Sequence, residues 1–185
     1  MGDNMKLINI KSKGIFVFKN TAQPGNQIET FNNAKNIFII VCTASCIKSY
    51  IFNPLLLSLS FYKKYSVERS LEHLCFEIFT SDGSQTKIIE LDLQGIIRIW
   101  DFNSCELLNI IKMENNNIND IYLYKNYLLI QQPEGLKELD IKSLKFVNFY
   151  KFSNDCENII RIEHFKYGKC ILCKEDHIIR CMFFK

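Results

Sequence analysis

The feature that most constrains this chain is a recurrence. Four times a basic residue stands two places before a large apolar one: Lys48 with Tyr50, Arg98 with Trp100, Lys137 with Leu139, and Arg180 with Met182. Successive copies are 50, 39 and 43 residues apart, close to the roughly 40–45-residue period of a four-stranded repeat. Each copy is preceded by an apolar run and a short polar link: "IFIIVCTAS", "KIIELDLQG", "NYLLIQQPEG" and "CILCKEDH". The first three are followed by another run: "LLLSLSFY", "ELLNIIK" and "LKFVNFYKF". One further strand is expected upstream of each later copy, in "LEHLCFEIFTSDGSQTK", "NDIYLYK" and "NIIRIEHFKYG". The unit therefore reads strand, hairpin, strand, hairpin, strand, turn, strand.

The runs are about 5–9 residues long and end at Gly95, Gly135, Pro133 or Asp176. Short apolar runs bounded by such turn formers favour strand over helix. A helix is plausible only at "SVERSLEHLCF". In "IIRIWDF", Ile97 and Ile99 point one way while Ile96, Trp100 and Phe102 point the other. A strand apolar on both sides must be covered on both sides, as happens when sheets stack face to face.

The stretch "FTSDGSQTKIIELDLQGIIRIWDFNSCELLNII" resembles a WD40 repeat. The Ser81-Asp82-Gly83 turn, the run Ile97-Arg98-Ile99-Trp100-Asp101 and the following Glu106-Leu107-Leu108 match that pattern in order. The repeat-signature residues are Asp82, Gly83, Arg98, Trp100 and Asp101, and Asp140 repeats the Asp. Two positions depart from the pattern: Gln94 stands where the hairpin usually has Asp, and His73 follows Glu72 where Gly is usual. The resemblance implies an all-β, β-propeller-like array of about four four-stranded antiparallel blades, an incomplete ring. The expected blade-like units are 36–62 (partial), 71–112, 118–152 and 156–185 (partial). Residues 1–35 would be a partial blade or closing strands. The resemblance further implies a non-catalytic scaffold for other proteins. Its ring would be completed by further blades from the same gene or another chain.

Composition narrows the classes. Of 185 residues, 48% are apolar and 23% charged, the balance of a globular chain. A formal charge of +3 is too small to imply a nucleic-acid or membrane partner. The start, "MGDNMKLINIKSKG", lacks the pattern of a secretory leader. The eight cysteines sit mostly in apolar runs and are expected reduced, in the cytoplasm or nucleus. The apolar stretch Asn36 to Tyr62 is interrupted by Lys48, Asn53 and Pro54, so two buried strands joined by a turn are expected there and no membrane span.

Candidate chemistry is sparse. Cys170, Cys173, His177 and Cys181 have a spacing similar to that of a zinc knuckle binding single-stranded nucleic acid, though each later gap is one residue short. The other reading is small buried strand residues. His73, His164 and His177 fall in different units with no nucleophile elbow nearby, so no catalytic or cofactor-binding residue is expected, and an enzyme on a propeller scaffold is a distant alternative. Lys48, Arg98, Lys137 and Arg180 are expected to snorkel to solvent at blade edges. Phe183 and Phe184 are candidate contacts with another chain.

Overall fold

The computed structural model describes residues 5–9, 14–18, 25–33, 35–43, 45–67, 73–81, 85–113, 117–151, 158–165, 168–175 and 178–184. Side chains are described for 27–33, 35–43, 45–67, 75–81, 85–113 and 117–151. The chain forms two compact units, Met1–Asn116 and Asn117–Lys185.

In the first unit, β1 (Met5–Asn9) and β2 (Gly14–Phe18) form a hairpin. Two four-stranded antiparallel sheets follow. One is β3 (Gly25–Asn32), β4 (Ile37–Thr43), β5 (Ile47–Asn53) and β6 (Ser58–Tyr65), in that spatial order. The other is β7 (His73–Thr80), β8 (Thr86–Asp92), β9 (Ile96–Asp101) and β10 (Leu107–Lys112). The second unit holds a four-stranded meander, β11 (Asp120–Tyr124), β12 (Tyr127–Gln132), β13 (Gly135–Asp140) and β14 (Lys145–Lys151). It also holds a three-stranded one, β15 (Asn158–Phe165), β16 (Gly168–Glu175) and β17 (Ile178–Phe184). Among the described residues there is no helix. The four recurring basic residues all lie on the third strand of a sheet: β5, β9, β13 and β17.

Three segments differ from the sequence expectation. The first sheet begins at β3, so Gly25–Asn32 belong to the same four-stranded sheet as the unit expected to start, as a partial one, at residue 36. His73 to Phe76, at the end of the candidate helix, are strand. Leu55, Leu56 and Leu57 form a turn, and β6 starts only at Ser58. Asn53-Pro54 ends the preceding strand: proline at the second turn position has its φ already set, and Asn53 accepts hydrogen bonds from the N–H groups of Leu55 (3.0 Å) and Leu56 (3.1 Å).

The two four-stranded sheets of the first unit pack face to face. Phe38, Ile40, Cys42, Ile47 and Tyr65 meet Phe76, Ile88, Trp100 and Phe102 in one buried cluster. Phe102 is at its centre, with ring centroids 4.9 Å from Phe38, 5.6 Å from Phe31, 5.9 Å from Tyr62 and 6.2 Å from Tyr65. The Tyr65 hydroxyl donates to the Phe102 carbonyl at 2.7 Å. Between the first strands, the Gln27 amide is bonded twice to one residue: Nε2 donates to the Phe76 carbonyl (2.9 Å) and Oε1 accepts from the Phe76 N–H (2.8 Å). On β9, Ile97 and Ile99 on one face and Trp100 on the other are all buried, as a doubly covered strand requires.

Arg98 overturns one expectation. It does not reach solvent: it is 5% exposed, with Nη1 3.1 Å from Glu90 Oε1 and Nη2 2.9 Å from Asp92 Oδ2. Glu90 and Asp92 are buried as well. Glu90 lies directly across the ladder from Arg98, and Asp92 closes the β8–β9 turn, where its Oδ1 accepts from the N–H groups of Gln94 and Ile96, both at 2.9 Å. Gly95 completes that turn at φ 72°, a conformation that glycine takes without steric cost. The Trp100 Nε1–H finds no acceptor among the described residues.

Candidate interaction site

One turn recurs at the same place in three sheets. Asn53, Asp101 and Asp140 end the third strand, and each side-chain Oδ1 accepts from two backbone N–H groups of the turn that follows. A residue with positive φ then closes each turn: Leu57 (48°), Cys105 (64°) and Leu144 (55°). Short Asx side chains favour this geometry by satisfying turn amides that no strand can reach.

The three copies differ in length. Each hairpin carries a β-bulge, where Tyr50 pairs with Phe61, Trp100 with Leu107, and Leu139 with Phe146. In β9 and β13 the Asx residue follows the bulge pair at once, at Asp101 and Asp140; in β5 it comes later, at Asn53. The β5–β6 hairpin is thus two residues longer on each side and projects about 7 Å further. Its chemistry differs too. The tips of the other two turns are Asn103-Ser104 and Lys142-Ser143; here the same places hold Leu55 and Leu56, exposed by 91% and 74%, followed by Leu57, 46% exposed, where the others have Cys105 and Leu144.

Below the tip, one face of the hairpin carries an ordered column. Phe52 pairs with Leu59, Tyr50 with Phe61, and Lys48 with Lys64. Phe61 is exposed and its ring meets Tyr50 edge-on at 5.9 Å. Tyr50, Lys48 and Leu59 are half-buried and Lys64 is exposed. From Thr30 to Val67 the chain has Lys35, Lys48, Lys63 and Lys64 and no acidic residue.

The turn carboxylates are tuned by their partners. Burial alone would raise the Asp101 carboxyl, but the Ser104 N–H and hydroxyl, the Asn103 N–H and the Gln85 amide hold it below the usual range. Asp140 is held low chiefly by the Ser143 N–H, with the Lys142 N–H adding to it. Because the folded values lie below the unfolded ones, this stabilisation is complete above roughly pH 4 and is lost as pH falls through the folded values. Asn53 shows that an amide serves the same turn. Asp101→Asn should therefore keep stability near neutrality and flatten its loss in acid, while Asp101→Ala should cost about 1–2 kcal/mol at neutral pH by leaving two turn N–H groups without their acceptor. Urea midpoints measured against pH for the three proteins check both.

Other features hold less chemistry. A groove of about 210 Å³ between β3 and β7 is lined by Glu29, Thr30, Phe31, Glu77, Ile78 and Thr80, below the roughly 300–1,000 Å³ of ordinary small-molecule sites. The Cys42 thiol is pushed up to about 12 by burial, then by the Glu90 carboxylate and Cys46, so it stays protonated and a poor nucleophile. Burial, then the hydrogen bond to Glu138 (2.5 Å), pushes the Tyr150 hydroxyl up to about 12.

Of the sequence-signature residues, Arg98, Trp100 and Asp101 lie together on β9, but in separate roles: ion pair, core and turn. Asp82, Gly83 and His177 lie outside the described residues. Cys170 and Cys173 lie on β16, and Cys181 on β17 opposite Leu172; their side chains, with those of His73, His164, Phe183 and Phe184, are outside the described set. Among the described residues no group of metal-ligating side chains comes together, and no helix is long and apolar enough to cross a membrane. The projecting leucine tip was missed because "LLLSLSFY" reads as one apolar strand; the Asn53-Pro54 pair ahead of it was the available signal.

No protein-family model matches the chain, and no curated protein matches it significantly. Solved structures match its fold. The WD40 domain of SCAP from fission yeast is 13% identical with a TM-score of 0.56, over 92% of this chain and 46% of that one. The computationally designed Ika8 protein is 10% identical with a TM-score of 0.67, over 97% of this chain and 52% of that one. The designed Ika4 protein is 11% identical with a TM-score of 0.64, over 90% and 95%. The chain thus spans about half the length of the SCAP domain and of Ika8. The fold is all-β, built from four-stranded antiparallel blades like those of a WD40 domain and designed propellers.

Proposed function

We propose that the chain is a non-catalytic platform on which other proteins assemble, in the cytoplasm or nucleus, with the β5–β6 tip as a principal contact. The observation that carries this reading is the exposed Leu55-Leu56 pair at the tip of a lengthened turn, where the two counterpart turns carry Asn103-Ser104 and Lys142-Ser143. A soluble surface gains nothing from two adjacent, largely exposed leucines, whereas their burial against a partner is worth roughly 1.5–3 kcal/mol each. Likeness to a WD40 domain supports the platform role, since loops at blade ends vary in sequence without disturbing the packed strands. Further blades, from the same gene or another chain, belong to the same reading.

The test is a tip variant, Leu55→Asp/Leu56→Asp, compared with the unaltered chain by cross-linking and co-purification from cells. Stability should stay within about 0.5 kcal/mol, because neither side chain packs in the fold. Capture of partners through the tip should fall about 100-fold. Retention of every partner at full yield overturns the reading.

A further inference from the structure

The platform reading leaves open what chemistry the hairpin recognises, and the inference here rests on that reading. Lys48 and Lys64 are direct cross-strand neighbours. Like charges placed opposite each other destabilise a sheet; no acidic residue occurs from Thr30 to Val67, and among the described residues no ion pair joins either lysine. The same face then runs through Tyr50 and Phe61 to the leucine tip, a column about 20 Å long from Lys64 to Ser58. Apolar groups stand at one end and a paired positive charge at the other.

We propose that this face of the β5–β6 hairpin binds an extended peptide segment with aliphatic residues at one end and acidic residues at the other. An extended segment of six or seven residues would match that length, at about 3.3 Å per residue. Its aliphatic side chains cover Leu55, Leu56 and Phe61, and its carboxylates lie between Lys48 and Lys64, removing their repulsion. Lys48 and Tyr50 are half-buried beside the buried Val41 and Ile39, so single side chains of a peptide fit this site better than the flat surface of a bilayer does.

The experiment uses the full chain and two fluorescein-labelled synthetic peptides. Both carry the same leucine-rich half; one continues with aspartates, the other with lysines. By fluorescence anisotropy the aspartate peptide should bind at least about tenfold tighter, and its affinity should fall with added salt. Lys48→Glu/Lys64→Glu should reverse the preference, and Leu55→Asp/Leu56→Asp should weaken both peptides. Equal affinity for the two peptides overturns the proposal, as does a preference unchanged by the charge reversal. So does co-sedimentation with phosphatidylserine vesicles, abolished by the lysine variant, in the absence of peptide binding. If the tip variant still loses its partners in cells while the two peptides bind alike, the platform stands and this inference alone falls; if neither partners nor peptides respond, both fall. Unchanged thermal midpoints for the variants show that the losses are not unfolding.

Discussion

Replacing Arg98 with methionine will cost the protein about 3–5 kcal/mol, read as a drop in the urea midpoint at neutral pH. The guanidinium is buried between Glu90 and Asp92, which are no more exposed than it is. Removing it takes the guanidinium away from two buried carboxylates inside the sheet packing. The price of that is desolvation and mutual repulsion, which methionine cannot relieve although it matches much of the arginine stem. The sharper form of the prediction adds Glu90→Leu and Asp92→Asn. Asp92→Asn keeps the Oδ1 acceptor that Gln94 and Ile96 use. The triple variant should recover most of the lost stability, because an apolar replacement of a whole buried ion group is often close to neutral. A triple variant as unstable as Arg98→Met would show that the damage is loss of packing and not stranded charge.

The second large effect belongs to Phe102. Its ring is 1% exposed and meets four aromatic rings of the facing β3–β6 sheet. Phe102→Ala should cost about 3–5 kcal/mol, through lost transfer energy and a cavity that the surrounding strands cannot collapse to fill. Leucine should recover about half, restoring volume but not the edge-on ring contacts. Thermal and urea unfolding of the two variants measures both values. Tyr65→Phe isolates the hydrogen bond to the Phe102 carbonyl and should cost only about 1 kcal/mol.

The architecture was largely legible because it is written in periodicity. Arg98 and Trp100 could be matched to Lys137 and Leu139 from spacing, and both pairs stand at the same place on the third strand, with Trp100 and Leu139 opposite the bulge of the fourth. Tyr50 also sits at its bulge, but the lengthened tip beyond it was hidden, since three leucines in a row carry the same hydropathy whether they pack or protrude. The role of Arg98 was hidden for a related reason. A basic residue in an apolar strand invites a solvent-reaching reading, and its true partners lie eight and six positions earlier, legible only once the β8–β9 register pairs Glu90 with Arg98. The candidate binding face needed the structure outright, because Lys48 and Lys64 are sixteen residues apart and become neighbours only through the bulge.

Gln27 has a consequence for how the two blades of the first unit stay distinct. β3 and β7 are each the terminal strand of a sheet and lie near one another, so both present unused main-chain donors and acceptors. Left to themselves, two such borders can zip into one continuous ribbon. The Gln27 carboxamide fills the donor and acceptor of Phe76 with a rung that is itself not backbone. It holds the borders a side chain's length apart, acting as a spacer that lets neighbouring sheets adhere without fusing.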